Sequence, residues 1–473
     1  MIDQVGGVPR QGIKILVPVG ALGAGIKAAY VNDGLQSGIH AIAMDAGSTD
    51  SGPYYLGTGR PKYSRDAIKR DLRIAMLAQA TAQVPLLIGS CGTSGCDAAV
   101  DDTVAIALEI AAEDGLTPKI AVLHSEQSYD SLYAKLNTAQ ISELAPSDSL
   151  TPEILQSCAH IVAMMGPEPY IEAVRAGADI VLGGRTTDSA VLAAVPLMYG
   201  AGAGPAWHAG KTAECGGQCT TNPTEGGVMV TVFGEHFEIE PLSKDNSCTP
   251  RTVYAHLLYE NSDPLRLVEP GAIIDVSAAT YEAISDRSVR VFGSQFIPQP
   301  YTMKLEGAGG SSFQTIMLVG IADPHVLADI DGFITRLHAA MVDLISRTMG
   351  DAVGDFDISL RAYGWNAVSG TGPAATIPPP PEIGLLFVAT AATQEIATRI
   401  AKTCNPYFFH FPHAMNVELP SYAFPFSPAE IERGRLYEFK LNHVVEVSHP
   451  MELVRTSWID LRTDAKEAVN AQT

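Results

Sequence analysis

Short apolar runs that end in glycine and polar residues recur through residues 1–200. Each run is followed by a longer segment whose apolar residues recur at helical spacing. The runs are Ile15–Val19, Ala41–Met44, Val84–Gly89, Lys119–Leu123, Ile161–Met165 and Ile180–Leu182. This alternation predicts strand and helix units that build a mostly parallel βα sheet, either open and doubly wound or closed as a barrel.

The pattern changes beyond residue 200. Glycine-rich loops and mixed strands predict an α+β insertion or linking domain over residues 201–310. Residues 311–473 are then expected to form a ferredoxin-like α+β domain with a C-terminal extension, because the predicted order is strand, helix, strand, strand, helix, strand. The four strands are Thr315–Ile321, Asp357–Tyr363, Ile383–Ala391 and Tyr407–Phe411. Several domains are expected, because 473 residues exceed the size of one hydrophobic core.

Composition is typical of a globular protein, with 46% hydrophobic and 18% charged residues. Every apolar stretch is interrupted before it reaches the roughly 20 residues that span a bilayer. The seven cysteines are an odd number, and the N-terminus has no signal-peptide pattern. We therefore expect a cytoplasmic protein, for which a homo-oligomer is reasonable.

The charge balance restricts the partners of this protein. Thirty-one basic residues face 52 acidic ones, a net charge of −21, which disfavours nucleic acid and membrane as partners. An anionic substrate must therefore be held by a local cluster. No nucleotide motif is present: there is no Walker loop, and Gly20–Gly25 has the wrong glycine spacing for a dinucleotide fingerprint.

Polar residues gather at the carboxyl ends of the predicted strands, where α/β sheets bind ligands. The predicted substrate-binding residues are Ser48, Thr49, Ser90, Gly92, Thr93, Ser94, Gly183, Gly184, Arg185, Thr186, Asp188 and Gln218. The glycines before Arg185 are expected to leave it exposed, so that its planar fork holds a substrate carboxylate. Polar turns and helix caps remain the alternative explanation, most strongly for Asp188 and Ser48.

The predicted catalytic residues are those with groups that move protons or attack carbonyls. Asp45 and Glu214 supply carboxylates, and Cys215 supplies a thiol beside two glycines. Lys304 and Glu306 share one face of a predicted strand, as an acid–base pair or as a plain salt bridge. An inert buried thiol is the competing interpretation of Cys215.

Five motifs together carry a family resemblance over nearly the whole chain. They are Asp45–Pro53, Gly183–Asp188, Glu214–Gln218, Lys304–Ala308 and Ala423–Pro428. In this set and order they resemble the acyclic terpene utilisation AtuA-like family, long catalogued as a domain of unknown function. The resemblance implies small-molecule catabolism of branched acids or their coenzyme A thioesters, often with a small partner protein. The loop Gly89–Gly95 departs from the terpene-pathway members, which disfavours a terpenoid substrate.

The function that follows from these residues is proton transfer next to a carboxylate or acyl-CoA thioester, as in a hydro-lyase (hydratase or dehydratase) or isomerase. Arg185 holds the acid, Asp45 or Glu214 takes the proton, and main-chain amides of Ser90–Gly95 and Gly183–Gly184 stabilise the enolate. One alternative is a hydrolase or acyl-transfer enzyme that uses Cys215 or a loop serine, with His208 as base. Another is a non-catalytic subunit that requires a partner. Coenzyme A as part of the substrate and a divalent cation stay open, with no metal ligand set assigned.

Overall fold

Strands and helices alternate along the first part of the chain in the computed structural model, which describes residues 12–147, 149–259, 263–372, 378–414 and 418–463. The first strands are β1 (Ile13–Val17), β2 (Ala41–Asp45), β3 (Leu86–Gly89), β4 (Lys119–His124), β5 (Ile141–Glu143), β6 (His160–Ala163) and β7 (Ile180–Gly183). The helices among and after them are α1 (Ala28–Leu35), α2 (Pro53–Thr58), α3 (Arg65–Ala82), α4 (Asp97–Asp114), α5 (Tyr129–Asn137), α6 (Pro152–Ser157), α7 (Glu168–Arg175), α8 (Asp188–Met198) and α9 (Ala203–Ala213).

Strands predominate in the rest of the chain. They are β8 (Val228–Val232), β9 (His236–Pro241), β10 (Arg266–Glu269), β11 (Ala272–Asp275), β12 (Thr280–Ala283), β13 (Val289–Phe292), β14 (Gln295–Pro298), β15 (Thr302–Ile321), β16 (Phe356–Tyr363), β17 (Ile383–Ala391), β18 (Tyr422–Ala423), β19 (Ile431–Glu446) and β20 (Arg455–Asp460). The helices are α10 (Pro250–His256), α11 (Pro324–Ala328), α12 (Ile330–Met349), α13 (Gln394–Cys404) and α14 (Tyr407–His410). Short 3-10 helices occupy Thr49–Ser51, Gly216–Cys219 and Gly350–Val353.

The chain forms two compact units. The first comprises Met1–Gly309 with Phe439–Thr473, and the second comprises Gly310–Glu438. None of the helices within the described residues combines the length and the apolar character that crossing a bilayer requires.

A ten-stranded sheet forms the centre of the first unit, in the order β12-β13-β9-β8-β1-β2-β3-β7-β4-β20. The five strands from β1 to β4 in this order are parallel. Antiparallel strands extend the sheet on both sides, with β8, β9, β13 and β12 beyond β1 and with β20 beyond β4. The predicted mostly parallel α/β fold is confirmed, and among the described strands the sheet is open rather than closed as a barrel.

The central strands are apolar on both sides because helices cover both faces of the sheet. In β1, Ile13, Ile15 and Val17 pack in one core together with apolar residues of α8 and α9. Leu16 points to the opposite core, which contains residues of α3 and α4. The carboxyl ends of the parallel strands therefore lie at one edge of a sheet that is covered by helices on both faces.

One predicted member of the parallel sheet was placed wrongly. The run Ile161–Met165 corresponds to β6, which pairs antiparallel with Leu305–Ala308 of β15 instead of joining the ten-stranded sheet. A short apolar run indicates burial but does not specify which strand lies beside it.

The second unit has the predicted ferredoxin-like order, with strands in the sequence β16-β17-β15-β19. β17 pairs antiparallel with both β15 and β16, and β18 pairs antiparallel with β15. Tyr407–Phe411 was predicted as its last strand and is instead the short helix α14, so that prediction was wrong. β18 and β19 supply the pairing next to β15. The aromatic run favoured a strand by propensity, but Pro406 caps a helical turn that buries Phe408 in the core.

Candidate active site

A cleft of about 530 Å³ opens at the carboxyl ends of the parallel strands in the first unit. Four segments at the sheet edge contribute to it: the loop after β1, the loop after β2, the start of α8, and the turn that follows α9. The segments before α3, before β8 and after α10 complete its wall. The described residues that line it are Val19, Gly20, Ala21, Ala24, Gly25, Asp45, Gly47, Ser48, Asp50, Ser51, Lys62, Tyr63, Asp188, Glu214, Cys215, Gly217, Gln218, Pro223, Thr224, Gly226 and Tyr259. This is the edge at which open α/β sheets bind ligands.

The turn after α9 reaches the cleft because Gly20 has no side chain. A Cβ atom on Gly20 would lie 2.5 Å from the carbonyl carbon and oxygen of Cys215. Only glycine permits this approach of the loop after β1 to the main chain of Cys215. Glu214 and Cys215 are thereby fixed against the loop that follows β1.

Asp45 lies on the floor of the cleft as the last residue of β2, and it is 3% exposed. Its Oδ2 accepts a hydrogen bond of 2.9 Å from the main-chain N–H of Gly47, whereas Oδ1 accepts none from the described residues. Burial, and then the charge of Asp188, raise the pKa of Asp45 well above its usual value, although Arg185 opposes the shift. Asp45 is therefore a carboxyl group that retains its proton at higher pH than an ordinary aspartate.

Arg185 is buried, at 3% exposure, so the expectation that the preceding glycines leave it exposed was wrong. Its Nε donates to Oε2 of Glu306 at 2.9 Å, and its Nη1 donates to Oδ1 of Asp188 at 3.1 Å. The preceding glycines act in the opposite sense, since a Cβ atom on Gly184 would lie 2.8 Å from Oγ of Ser125 and 3.1 Å from the main-chain oxygen of Gly95. They allow the main chain to pack closely, and this buries the guanidinium.

Glu306 accepts three hydrogen bonds from the network behind the cleft. Nε of Arg185 and the hydroxyl of Thr49 donate to its Oε2, and Nζ of Lys304 donates to its Oε1, each at 2.9 Å. Burial alone would raise the pKa of Glu306, but the charges of Arg185 and Lys304 outweigh it and hold this pKa at about 2. The predicted proximity of Lys304 and Glu306 on one face of a strand is present in β15, as an ion pair.

Glu214 is a buried carboxyl group on the other side of the cleft. Nζ of Lys211, one helical turn earlier, donates to its Oε1. Burial raises the pKa of Glu214 to about 8, against the charge of Lys211 and with a further contribution from Asp188. Burial likewise raises the pKa of Glu269, which accepts a hydrogen bond from Ser189, to about 7. Asp45 and Glu214 of the cleft wall, and Glu269 close to Glu214, are thus carboxyl groups with a raised pKa.

The histidine next to Cys215 is His256 of α10. Ligand atoms of Glu214, Cys215 and His256 all lie within 4.8 Å of one another. His208, the histidine proposed from the sequence, is fully buried and hydrogen-bonds instead to Ser294 at 2.7 Å and to Tyr281 at 3.4 Å. Burial lowers the pKa of His208 to about 3, which suits a neutral core histidine.

The residues predicted from the sequence separate into two sets. Those in the cleft wall are Asp45, Ser48, Asp188, Glu214, Cys215 and Gln218. Those outside the set that lines the cleft are Thr49, Ser90, Gly92, Thr93, Ser94, Gly183, Gly184, Arg185, Thr186, Lys304 and Glu306. Several of these make internal bonds: the amides of Ser90 and Gly184 donate to the carbonyls of Gly184 and Leu123. These two amides therefore already donate hydrogen bonds within the protein.

Sequence reasoning missed Lys62, His256 and Glu269. Lys62 lies before α3 in a segment without a motif, and it donates a hydrogen bond of 3.1 Å to Ser51 at the cleft. His256 is the last residue of α10, whose sequence shows only a capping pattern, and Glu269 is the last residue of the short strand β10. Nothing local in the sequence marked these positions, because each reaches the site only through the tertiary fold.

Fold and site together define an α/β protein with an acidic cleft at the carboxyl edge of a parallel sheet. The model of the acyclic terpene utilisation family protein AtuA matches residues 56–436 of the chain. The chain belongs to this family. Comparison with curated proteins and with solved structures found no match.

Proposed function

We propose that this protein is an enzyme that moves a proton on a small carboxylic acid or its thioester, as a hydro-lyase or an isomerase. The observation that carries this proposal is the carboxyl group of Asp45. It is buried on the cleft floor, one of its oxygens accepts no hydrogen bond from the described residues, and it sits where a ligand would bind. A general acid or base needs a carboxyl group that is fixed at the ligand site, and Asp45 meets this condition as a residue of the cleft wall whose Oδ1 is buried without a partner among the described residues.

The surroundings of Asp45 favour a role as the proton donor or acceptor. Asp188 is held by Arg185 at 3.1 Å, and its charge adds to burial in keeping Asp45 protonated. Burial raises the pKa of both carboxyl groups, but Asp188 receives a direct hydrogen bond from Arg185, which opposes the shift. Neighbouring carboxyl groups with different partners acquire different proton affinities, which is how acid and base roles are separated in enzymes. Asp45 would exchange a proton with the substrate while Asp188 stays paired with Arg185.

The cleft limits how a substrate carboxylate could bind. Four acidic residues line it, and Lys62 is the one basic residue among the described residues of its wall. Arg185 was the residue proposed to hold the acid, but its guanidinium already bonds Glu306 and Asp188. The anionic end of a substrate would therefore lie towards Lys62, with the reacting carbon towards Asp45.

The volume of the cleft supports a small ligand. About 530 Å³ is within the range of small-molecule sites. A free acid, or the acyl part of a coenzyme A thioester with the nucleotide outside, fits this space.

The test begins with a thermal-shift screen of small unsaturated and hydroxylated acids and their coenzyme A esters. Stabilising compounds are then incubated with the wild type, Asp45→Asn and Asp33→Asn, and conversion is followed by NMR. Asp33 is exposed on α1 and pairs with Lys244, which makes it a matched control. The proposal expects Asp45→Asn to bind the compound and to lose about 10²-fold or more of the rate, with Asp33→Asn unchanged. Full activity in Asp45→Asn would refute it.

Cys215 and His256 support a second candidate function, acyl transfer from a thioester to water or another acceptor. Their ligand atoms lie within 4.8 Å of each other, and Cys215 lines the cleft. In this reaction the thiolate would attack the thioester carbonyl, His256 would take the thiol proton, and coenzyme A would leave. A covalent acyl adduct on Cys215, detected by mass spectrometry, would favour this candidate over proton transfer.

We also propose that the protein is cytoplasmic and assembles as a homo-oligomer, and that a small partner protein joins it. A non-catalytic subunit that needs its partner remains the third alternative. Light scattering of the purified chain tests self-association. Affinity capture from the native host, with a partner recovered in fixed stoichiometry, tests the subunit alternative.

A further inference from the structure

We propose that Glu214, Cys215 and His256 bind a zinc ion at the wall of the cleft. The three residues come from two segments, the turn after α9 and the end of α10. Their ligand atoms lie within 4.8 Å of one another. Tetrahedral zinc with bonds of about 2.0–2.3 Å separates its ligand atoms by about 3.5 Å, so a modest inward rotation of these side chains would complete the site.

The ring of His256 has a nitrogen that could bind a metal. His256 is 5% exposed, and its Nε2 has no hydrogen-bond partner among the described residues. A main-chain group of Lys211 lies within hydrogen-bonding reach of the ring, and because Nε2 has no partner among the described residues this group is placed to bond Nδ1. A histidine that donates Nδ1–H to a carbonyl keeps its lone pair on Nε2, which is the usual arrangement of a zinc ligand.

The ligand types select zinc over harder cations. A thiolate and an imidazole favour zinc and similar first-row ions, whereas magnesium and calcium prefer an all-oxygen set. Binding would form a Zn–S bond while the thiol of Cys215 releases its proton to the solvent.

Three protein ligands leave one position of a tetrahedral ion open. Glu214 and Cys215 both line the cleft, so the open position would face the ligand space, as in catalytic zinc sites. The ion would then polarise a substrate carbonyl, a task that the buried Arg185 does not serve. This role in the reaction rests on the proposed function, but the binding site itself does not.

A second cluster of the same residue types is a less suitable metal site. Cys96, Glu126 and His160 also lie close together. However, Glu126 already accepts a hydrogen bond from the amide of Asp97 on Oε2 and contacts His160 on Oε1 at 2.7 Å. Both carboxylate oxygens of Glu126 are therefore engaged within the protein, whereas the bond from Lys211 to Glu214 uses Oε1, and this difference makes the second cluster the control.

The experiment measures Zn²⁺ and Co²⁺ binding to the full chain after treatment with a chelator and removal of any affinity tag. We expect one ion per chain, and with Co²⁺ a near-ultraviolet charge-transfer band from a thiolate ligand. Cys215→Ser should remove this band, and His256→Gln should weaken binding at least about 10-fold. His160→Gln, in the control cluster, should leave both unchanged.

Alkylation of the wild type provides a readout that does not depend on how the variants fold. Zn²⁺ should slow the reaction of Cys215 with iodoacetamide, as measured by peptide mass spectrometry. The absence of bound metal, a charge-transfer band that persists in Cys215→Ser, or its loss in His160→Gln would overturn the proposal. None of these readouts uses a substrate, so failure here is separate from failure of the Asp45 proposal.

Discussion

Asp45 and Glu306 are both buried carboxyl groups near Arg185, yet their proton affinities move in opposite directions. Glu306 receives Arg185 and Lys304 directly, and these charges outweigh burial. Asp45 has the carboxylate of Asp188 as a neighbour, which adds to the effect of burial. The difference between a carboxylate held in an ion pair and a carboxyl group with a raised pKa thus lies in the direct hydrogen-bond partners.

The raised pKa of Asp45 predicts a pH dependence of stability. A carboxyl whose pKa is higher in the folded than in the unfolded state contributes stability below the unfolded value, near 3.9 for aspartate. That contribution is lost as the pH rises through the folded value. The charged groups that face Asp45 are Asp188 and Arg185, and the titratable Cys91 and Tyr170 lie nearby.

Asp45→Asn should therefore have a higher free energy of unfolding than the wild type at neutral and alkaline pH. The difference between the two proteins should disappear in acid. The gain is about 1.4 kcal/mol for each unit by which the folded pKa exceeds the unfolded one. Urea unfolding at several pH values checks this. A gap that widens in acid would show that Asp45 is ionised in the folded protein.

Arg185→Lys should destabilise the protein, because lysine cannot bond Glu306 and Asp188 from the planar fork that arginine provides. Disrupting a buried ion pair costs about 3 kcal/mol or more. The matched control is Arg347→Lys, an exposed pair with Asp343, for which a change below about 0.5 kcal/mol is expected. Equal unfolding midpoints for the two variants would contradict the buried network.

At the scale of the elements, the sequence predicted the parallel strands because each is an apolar run followed by glycine and polar residues. It also predicted that Asp45, Asp188 and Glu214 share a site, since two of them follow strands whose carboxyl ends meet at one edge. The partner of β6 could not be predicted, because pairing with β15 joins residues far apart in the chain.

The segment over residues 301–321 shows a similar limit of prediction from the sequence. Two strands are predicted there, one that contains Lys304 and Glu306 and one over Thr315–Ile321, but β15 is one continuous strand from Thr302 to Ile321. Glycine usually weakens a strand. Here a Cβ atom on Gly309 would lie 2.1 Å from the carbonyl oxygen of Ser157, so close packing explains the glycine. His256 was missed for a related reason, since its helix reaches Cys215 only in the folded chain.

The loop after β3 offers a test of the packing around Arg185. Gly95→Ala should destabilise the protein by more than about 2 kcal/mol, because the position has a φ of +63° and a Cβ atom there would meet the nitrogen of Arg185. Gly115→Ala is the control: φ is +67° at the end of α4, but nothing lies within 4 Å of its Cβ atom. It should cost only about 1 kcal/mol. Similar losses for both would show that strain, not contact, dominates.

At the scale of the whole molecule, the net charge of −21 dominates the electrostatics. Such an excess keeps a protein soluble and also causes self-repulsion in the folded state.

The midpoint temperature of thermal unfolding should therefore rise as NaCl is added from low ionic strength to about 0.15 M. At that concentration the Debye length falls to about 8 Å, so the repulsion between acidic residues is screened. Differential scanning calorimetry measures it. Lys244→Glu, which makes the exposed surface more acidic, should steepen the dependence. A midpoint that falls with salt would show that surface ion pairs outweigh the repulsion.

The most direct measurement of the central claim is solvent deuterium exchange into a bound acid in D₂O, followed by NMR for the wild type, Asp45→Asn and Asp33→Asn. If Asp45 moves the substrate proton, the wild type and Asp33→Asn will exchange one carbon-bound hydrogen. Asp45→Asn will bind the acid but exchange at least about 10²-fold more slowly. Exchange at the wild-type rate in Asp45→Asn would contradict the assignment of this carboxyl group as the acid–base residue.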